Sequence, residues 1–300
     1  MGLYPGTADP GVTHDRMVDE IADLGATHVA LVVSWEQEHV RSNAIRRTAR
    51  TSVSDAVVAR AAARARARGL KVLLFPILTV RQARPGEWRG TLVPADRSAW
   101  WRSYERFILH YAGLAATIRA EVLLVGSELG STESWRDHWY HLIGKARAVF
   151  PGGIAYSANW DHYRHVSFWR RLDYLGVTGY FELTRDNDAS QATLTRSWAR
   201  ARDEILAFMK TVDGPRLWLS EVGYVSRDGA ATRPWDYGLD TRLDLEEQRR
   251  CYQALREAWS GVPALDGVFM WNWFGTGGPR DGGYTPRGKP AEQVLRRWWN

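Results

Sequence analysis

Val122-Leu123-Leu124-Val125-Gly126-Ser127-Glu128 is a short apolar run that stops at a glycine, a small hydroxyl and a carboxylate. Its length and composition suit a buried strand. A carboxylate ending such a strand is costly to bury alone when ionised, so it has a partner, access to water or a chemical task. Leu217-Trp218-Leu219-Ser220-Glu221 repeats the design. Outward from these two, apolar runs at 27–33, 71–78, 154–157, 174–178 and 267–270 read as further strands. Helical segments fall between them at 14–24, 54–68, 98–117, 134–150, 166–171 (brief), 194–211, 243–259 and 290–298, several opened by a Ser or Thr cap (Thr13 for the first).

Strand and helix alternate at least seven times without adjacent strands, which argues for a parallel sheet with crossover helices. Near-continuous apolar strands fit a sheet covered on both faces. Counting a truncated first strand at 1–4 gives eight units, hence one (β/α)8 TIM barrel over residues 1–300. The alternative is a doubly wound open sheet, which would want a Gly-rich phosphate turn after its first strand; residues 2–11 hold no G-x-G-x-x-G.

Composition narrows the classes. Hydrophobic residues at 45% and charged residues at 25% are globular values. No apolar run reaches the roughly 18 residues of a membrane span. The start has no basic segment followed by an apolar core, so no secretory signal is read there. The opening is abrupt, and native sequence is expected to be missing before it. Localisation stays open: extracellular or cell-envelope if a signal was trimmed, otherwise cytoplasmic. Cys251 is the lone cysteine. A formal charge of +6 suggests nucleic acid at first, but only four of the 40 basic residues are Lys, and the Arg are spread over every helical segment. The densest run, Arg60, Arg64, Arg66 and Arg68, reads as a solvated helix face, and no nucleic-acid partner is expected. Sixteen Trp exceed ordinary core needs, and indole faces stack on sugar rings, a mild pointer to carbohydrate.

In a barrel of this kind catalytic groups sit at the C-terminal ends of the strands. Here those ends carry Ser34-Trp35, Pro76, Glu128, Asn159, Tyr180, Glu221 and Trp271. Side chains alternate along a strand. Two and four residues back from the ends stand Gly126 and Leu124, Thr178 and Gly176, Leu219 and Leu217, Phe269 and Gly267. These are small or apolar residues suited to a filled interior, so Glu128, Tyr180, Glu221 and Trp271 are expected to point inward together. Glu128 closes the fourth strand and Glu221 the seventh. Two facing carboxyl groups suit glycoside hydrolysis, about 5–5.5 Å apart if the anomeric configuration is retained. The bland alternative is that each glutamate caps a helix or pairs with an arginine. Asn159, Trp160 and Trp35 are candidate sugar contacts, while Trp88, Trp235 and Tyr237 could extend a groove or anchor loops. Glu182 is expected to pair with an arginine. No H-E-x-x-H or G-x-S-x-G occurs, so neither a metal, nor another cofactor, nor an esterase elbow is expected.

Ala30-Leu31-Val32-Val33-Ser34-Trp35, Gly126-Ser127-Glu128, Leu219-Ser220-Glu221-Val222-Gly223-Tyr224 and Gly283-Tyr284-Thr285-Pro286-Arg287-Gly288-Lys289-Pro290, in this order, resemble glycoside hydrolase family 113 of clan A, known for β-mannan-cleaving enzymes. The resemblance implies a retaining enzyme with Glu128 as general acid/base and Glu221 as nucleophile. It implies that Tyr180 holds the nucleophile ionised and aimed, and that Trp271 is the platform beneath the sugar. Most clan members place Asn before the acid/base, against the sugar 2-hydroxyl; this chain has Ser127, a shorter side chain at a substrate-binding position. The expected activity is hydrolysis of β-linked poly- or oligosaccharide, β-1,4-mannan first. The alternatives are a clan A glycosidase for an amino sugar or glucan, and a non-catalytic glycan-binding barrel. Sugar, linkage, endo or exo action and oligomeric state are not fixed by the sequence.

Overall fold

The computed structural model describes residues 1–3, 5 and 14–300. Seven parallel strands, β1 (His28–Gln37), β2 (Lys71–Val80), β3 (Val122–Ser127), β4 (Gly153–Ala158), β5 (Tyr174–Thr178), β6 (Arg216–Val222) and β7 (Leu265–Met270), lie in one sheet in chain order. Residues 1–3 pair with β1 on the side away from β2. The Leu3 N–H donates to the Val32 carbonyl at 2.8 Å and the Val32 N–H to the Met1 carbonyl at 3.0 Å. This short segment is the first strand of a (β/α)8 barrel. Tyr4, the last residue of that strand as read from sequence, and Thr13, the expected first cap, lie outside the described residues. At the strands' N-terminal ends a cavity of about 660 Å³, lined by His28, Lys71, Trp218 and Phe269 among others, opens between β7 and β1.

The helices are α1 (His14–Asp23), α2 (Asp55–Ala67), α3 (Arg97–Thr117), α4 (Arg136–Val149), α5 (Gln191–Met209), α6 (Leu245–Trp259) and α7 (Pro290–Trp299). Four begin where a short side chain accepts a first-turn N–H: Ser54 from Val57, Asp96 from Ala99, Ser190 from Thr193 and Asp244 from Glu247. Among the described residues no helix is long and apolar enough to cross a membrane. The basic face of α2 is less free than expected. Arg60 pairs with Asp15, Arg64 with Asp19, and Arg68 with Asp19 and Asp23, so most of this run meets the acidic face of α1. Water screens these exposed pairs, so the ladder sets helix register more than stability.

Two apolar layers result. Val32, Leu73, Phe75, Ile77, Val122, Leu124, Ala155 and Trp218 cluster inside the barrel, with Ala30, Tyr174, Phe269 and Trp271 against them. A larger layer joins sheet to helices. The tryptophan excess is half explained there: Trp100, Trp101, Trp139, Trp169, Trp198, Trp218, Trp259 and Trp273 are buried, eight of the sixteen.

Side-chain alternation does not run through as the sequence suggested. On β6 Trp218 points into the barrel, whereas Leu217 and Leu219 join the helix-facing layer. Ser220 also points inward, its Oγ 2.8 Å from that of Ser157 on β4, a strand that is not its neighbour. On β3 Leu124 is interior, but a Cβ on Gly126 would meet Tyr104, Tyr156 and Trp139 in the outer layer. The reason is irregular pairing. Register shifts between Leu124 and Ser127, between Val177 and Thr178, and between Leu219 and Val222 each reset the alternation. The glutamates reach the mouth because the strands are bulged, not because they are regular.

Gly126→Ala places its methyl carbon 2.7 Å from the Tyr104 hydroxyl and 2.9 Å from the Tyr156 ring. A loss of about 1–3 kcal/mol, the usual cost of overpacking, is expected as a lower urea midpoint with unchanged slope.

Candidate active site

The bulge in β3 turns Ser127 across the barrel, where its Oγ donates to Glu221 Oε1 at 3.1 Å. The two residues sit on strands separated by β4 and β5, so this bond spans the interior. The Tyr180 hydroxyl donates to the other oxygen, Oε2, at 3.4 Å. Glu221 thus has a donor on each carboxylate oxygen, which fixes its plane.

Glu128 follows with φ of 53°, one of two non-glycine residues with positive φ among those described. This conformation costs about 1–3 kcal/mol and persists only where its surroundings impose it. Here the Glu128 N–H is held by the Ser157 carbonyl at 2.7 Å, and the next N–H, of Leu129, by the Tyr156 hydroxyl at 2.9 Å. That hydroxyl donates in turn to Glu133 at 2.7 Å, whose second oxygen lies 3.2 Å from His162 Nδ1. Burial pushes the Glu133 carboxyl up, against the pull of Tyr156 and His162. The strained turn is therefore tied into a buried polar network.

Arg89 comes from the loop after β2, and its Nη2 donates to Glu128 Oε2 at 2.6 Å. Ser127, Glu128, Tyr180 and Glu221 are all buried. Burial first, then the negative charge of Glu128, push the Glu221 carboxyl up to about 8, despite Arg89 and the hydrogen bonds from Ser127 and Tyr180. Two acids and one guanidinium share a water-poor space.

Of the other sequence candidates, Trp271 packs on the barrel interior and its N–H donates to the Val222 carbonyl at 2.7 Å. Gly223 allows this approach, since a Cβ there would lie 1.8 Å from the Trp271 carbonyl oxygen. Trp160 stacks on Trp235 at 5.7 Å and 18°, forming a double indole at the rim. Asn159 is occupied locally, donating to Asp161 at 2.8 Å and accepting from Thr178 at 3.3 Å. Trp35 is not brought to the mouth. Its ring packs against Phe107, His110 and Tyr111 of α3, in the helix-facing layer, because position 35 has the outward parity on an unbulged stretch of β1. Glu182 pairs with Arg185 at 3.3 Å.

Sequence reasoning missed Arg89, Glu133 and Tyr284. The Tyr284 ring lies 6.2 Å from that of Tyr180, and its hydroxyl bonds the Pro234 carbonyl at 2.6 Å. Tyr284 stood inside a quoted motif. Arg89, one arginine among many in an irregular loop, gave no signal.

A parallel barrel that gathers acids at the C-terminal ends of opposed strands is the setting of the barrel glycosidases. The model of Glycoside Hydrolase Family 113 matches residues 11–281, and the chain belongs to that family; it is a glycoside hydrolase, with carbohydrate as its substrate. Among solved structures it is similar to a GH113 β-mannanase from Alicyclobacillus acidocaldarius in complex with ManMIm. The identity is 28% over 99% of this chain and 93% of that one, with a TM-score of 0.86. A second structure, described as a GH113 β-1,4-mannanase, shares 25% identity over 95% and 92% of the two chains, with a TM-score of 0.84. No curated protein matches.

The raised Glu221 carboxyl carries a stability consequence. The folded state binds this proton more tightly than the unfolded chain, whose carboxyl titrates near the ordinary 4.5 of a glutamate. Between about 4.5 and about 8 the folded form therefore holds more protons, and stability falls as pH rises through that window. Glu221→Gln removes the penalty. Its Tm should exceed that of the parent by more at pH 8.5 than at pH 5, with a gain on the order of 1–3 kcal/mol, as read by calorimetry across pH.

Proposed function

We propose that the whole chain acts as one catalytic barrel that hydrolyses β-1,4-linked mannan or manno-oligosaccharide with retention of configuration. Glu221 attacks the anomeric carbon while Glu128 protonates the departing oxygen, giving a glycosyl-enzyme ester on Glu221. Glu128, now a carboxylate, takes a proton from water, and the resulting hydroxide displaces Glu221 to release the sugar. Tyr180 and Ser127 aim the attacking carboxylate, and Trp271 supports the sugar ring.

The observation that carries this reading is the unequal dress of the two acids. Glu221 is held on both oxygens by fixed hydroxyl donors, as an in-line nucleophile requires. Glu128 sits on a strained turn with a charged partner, Arg89, in place of fixed hydroxyl donors, as suits a group that both gives and takes a proton. The similarity to β-mannanases supports mannan as the glycan. Ser127 engages Glu221, so contact with the sugar 2-hydroxyl falls to other side chains. That favours testing gluco- and amino-sugar substrates beside mannan.

Glu221→Ala should cut hydrolysis of β-1,4-mannan by roughly a thousand-fold or more. Glu128→Ala should lose comparable activity on mannan, but added azide should restore turnover of an activated aryl β-mannoside and yield the β-mannosyl azide. Parent-like rates for either variant on every glycoside that the parent cleaves would end the two-glutamate mechanism. An α-configured first product, seen by proton NMR, would end retention.

A further inference from the structure

Arg89 is assigned no part by the reaction just described, yet it touches one of the two acids. It lies in a short 3-10 turn, Arg89–Thr91, braced by Trp88 N–H to Thr91 Oγ1 at 3.0 Å and Thr91 N–H to the Trp88 carbonyl at 3.0 Å. This turn packs on the one that follows Glu128. A Cβ on Gly130 would lie 3.4 Å from the Gly90 carbonyl oxygen, so the two turns meet backbone to backbone. The guanidinium is delivered to Glu128 by a rigid contact, and both side chains are largely shielded from water.

Charge counting through the proposed reaction gives this contact a meaning. Before attack the site holds a protonated Glu128, an ionised Glu221 and the Arg89 cation. After attack Glu128 has given its proton to the leaving oxygen and is ionised, and Glu221 is a neutral ester. In both states one negative charge faces one positive charge. We infer that Arg89 is the fixed counter-ion of the single negative charge that passes from Glu221 to Glu128, a positioning residue that stabilises Glu128 as carboxylate once its proton has left. The inference rests on the two-glutamate reading and deepens it.

The other groups that sense this pair supply no positive charge: burial pushes the Met1 terminal amine, which senses Glu221 and donates to the Ala30 carbonyl, down to about 5. Tyr180 and Tyr284 both sense Glu128 and Glu221, but burial drives each phenol up, so both stay neutral. Glu133 is a third acid, buried behind the turn and matched by Tyr156 and His162. Among the described residues, Arg89 is the cation in contact with either glutamate.

The test is the pH profile of kcat/KM on 4-nitrophenyl β-mannobioside and on β-1,4-mannohexaose for the parent, Arg89→Gln and Arg89→Lys. One proton on the pair makes the active form, so the parent gives a bell. Without the cation both limbs should move to higher pH by roughly one unit, the alkaline limb further, because a nearby positive charge favours the ionised form of a carboxyl. Arg89→Lys should return both limbs to within a few tenths of a unit of the parent. If turnover in Arg89→Gln is too slow to measure, carbon-13 NMR titration of glutamate carboxyls in the ligand-free protein, assigned with Glu128→Gln and Glu221→Gln, reads the same shift. A bell that falls in height without moving, or one that Arg89→Lys moves as far as Arg89→Gln, reduces Arg89 to a loop brace and overturns the inference alone. Full activity in Glu221→Ala removes the reading beneath it as well.

Discussion

Two carboxyl groups closed into one dry mouth repel each other, and everything around them manages that repulsion. Burial and the charge of Glu128 push the Glu221 carboxyl up, and one guanidinium lies against Glu128. The arrangement is a poor choice for stability, since two buried acids resist folding wherever both must ionise. It is kept where the tension between them is useful, because a pair that shares one proton can act as acid and nucleophile at once.

The scaffold meets this demand through irregularity placed on a regular base. The lower parts of the strands are apolar, evenly paired and filled by Val32, Leu73, Phe75, Val122, Leu124 and Trp218. Toward the mouth the pairing slips on β3, β5 and β6, and polar side chains take over the interior: Ser157 against Ser220, then Ser127 and Tyr180 against Glu221. The backbone strain of Glu128 is borne by Ser157, Tyr156 and the Glu133–His162 pair, an arrangement that a well-packed lower barrel can support.

Much of this was legible before the structure. Two apolar runs ending in Ser-Glu, set among seven alternations of strand and helix, led to the barrel and to its mouth. Strand parity, by contrast, gathered Glu128, Tyr180 and Glu221 at the mouth by a wrong route. Leu217, Leu219 and Gly126 were counted inside and face the helices, since a bulge leaves no mark in an apolar sequence. Trp35 failed for the converse reason: a tryptophan at a strand end looks alike whether it meets a sugar or a helix, and only the partner on α3 decides. Arg89 was beyond reach, because a loop with no period gives no direction to its side chains. The tryptophan surplus was half a matter of core filling, and Trp160 with Trp235 at the rim is the remnant of it that fits a sugar surface.

The meeting of Gly223 with the Trp271 carbonyl leaves no space for even one added carbon. That single contact joins the strand bearing Glu221 to the end of the strand that leads to Trp271, so the height of Trp271 relative to Glu221 is set by main chain alone. On the proposed reading, laboratory evolution of a new sugar preference would have to work on the walls around Trp271, because the main chain beneath it cannot be raised or lowered one side chain at a time.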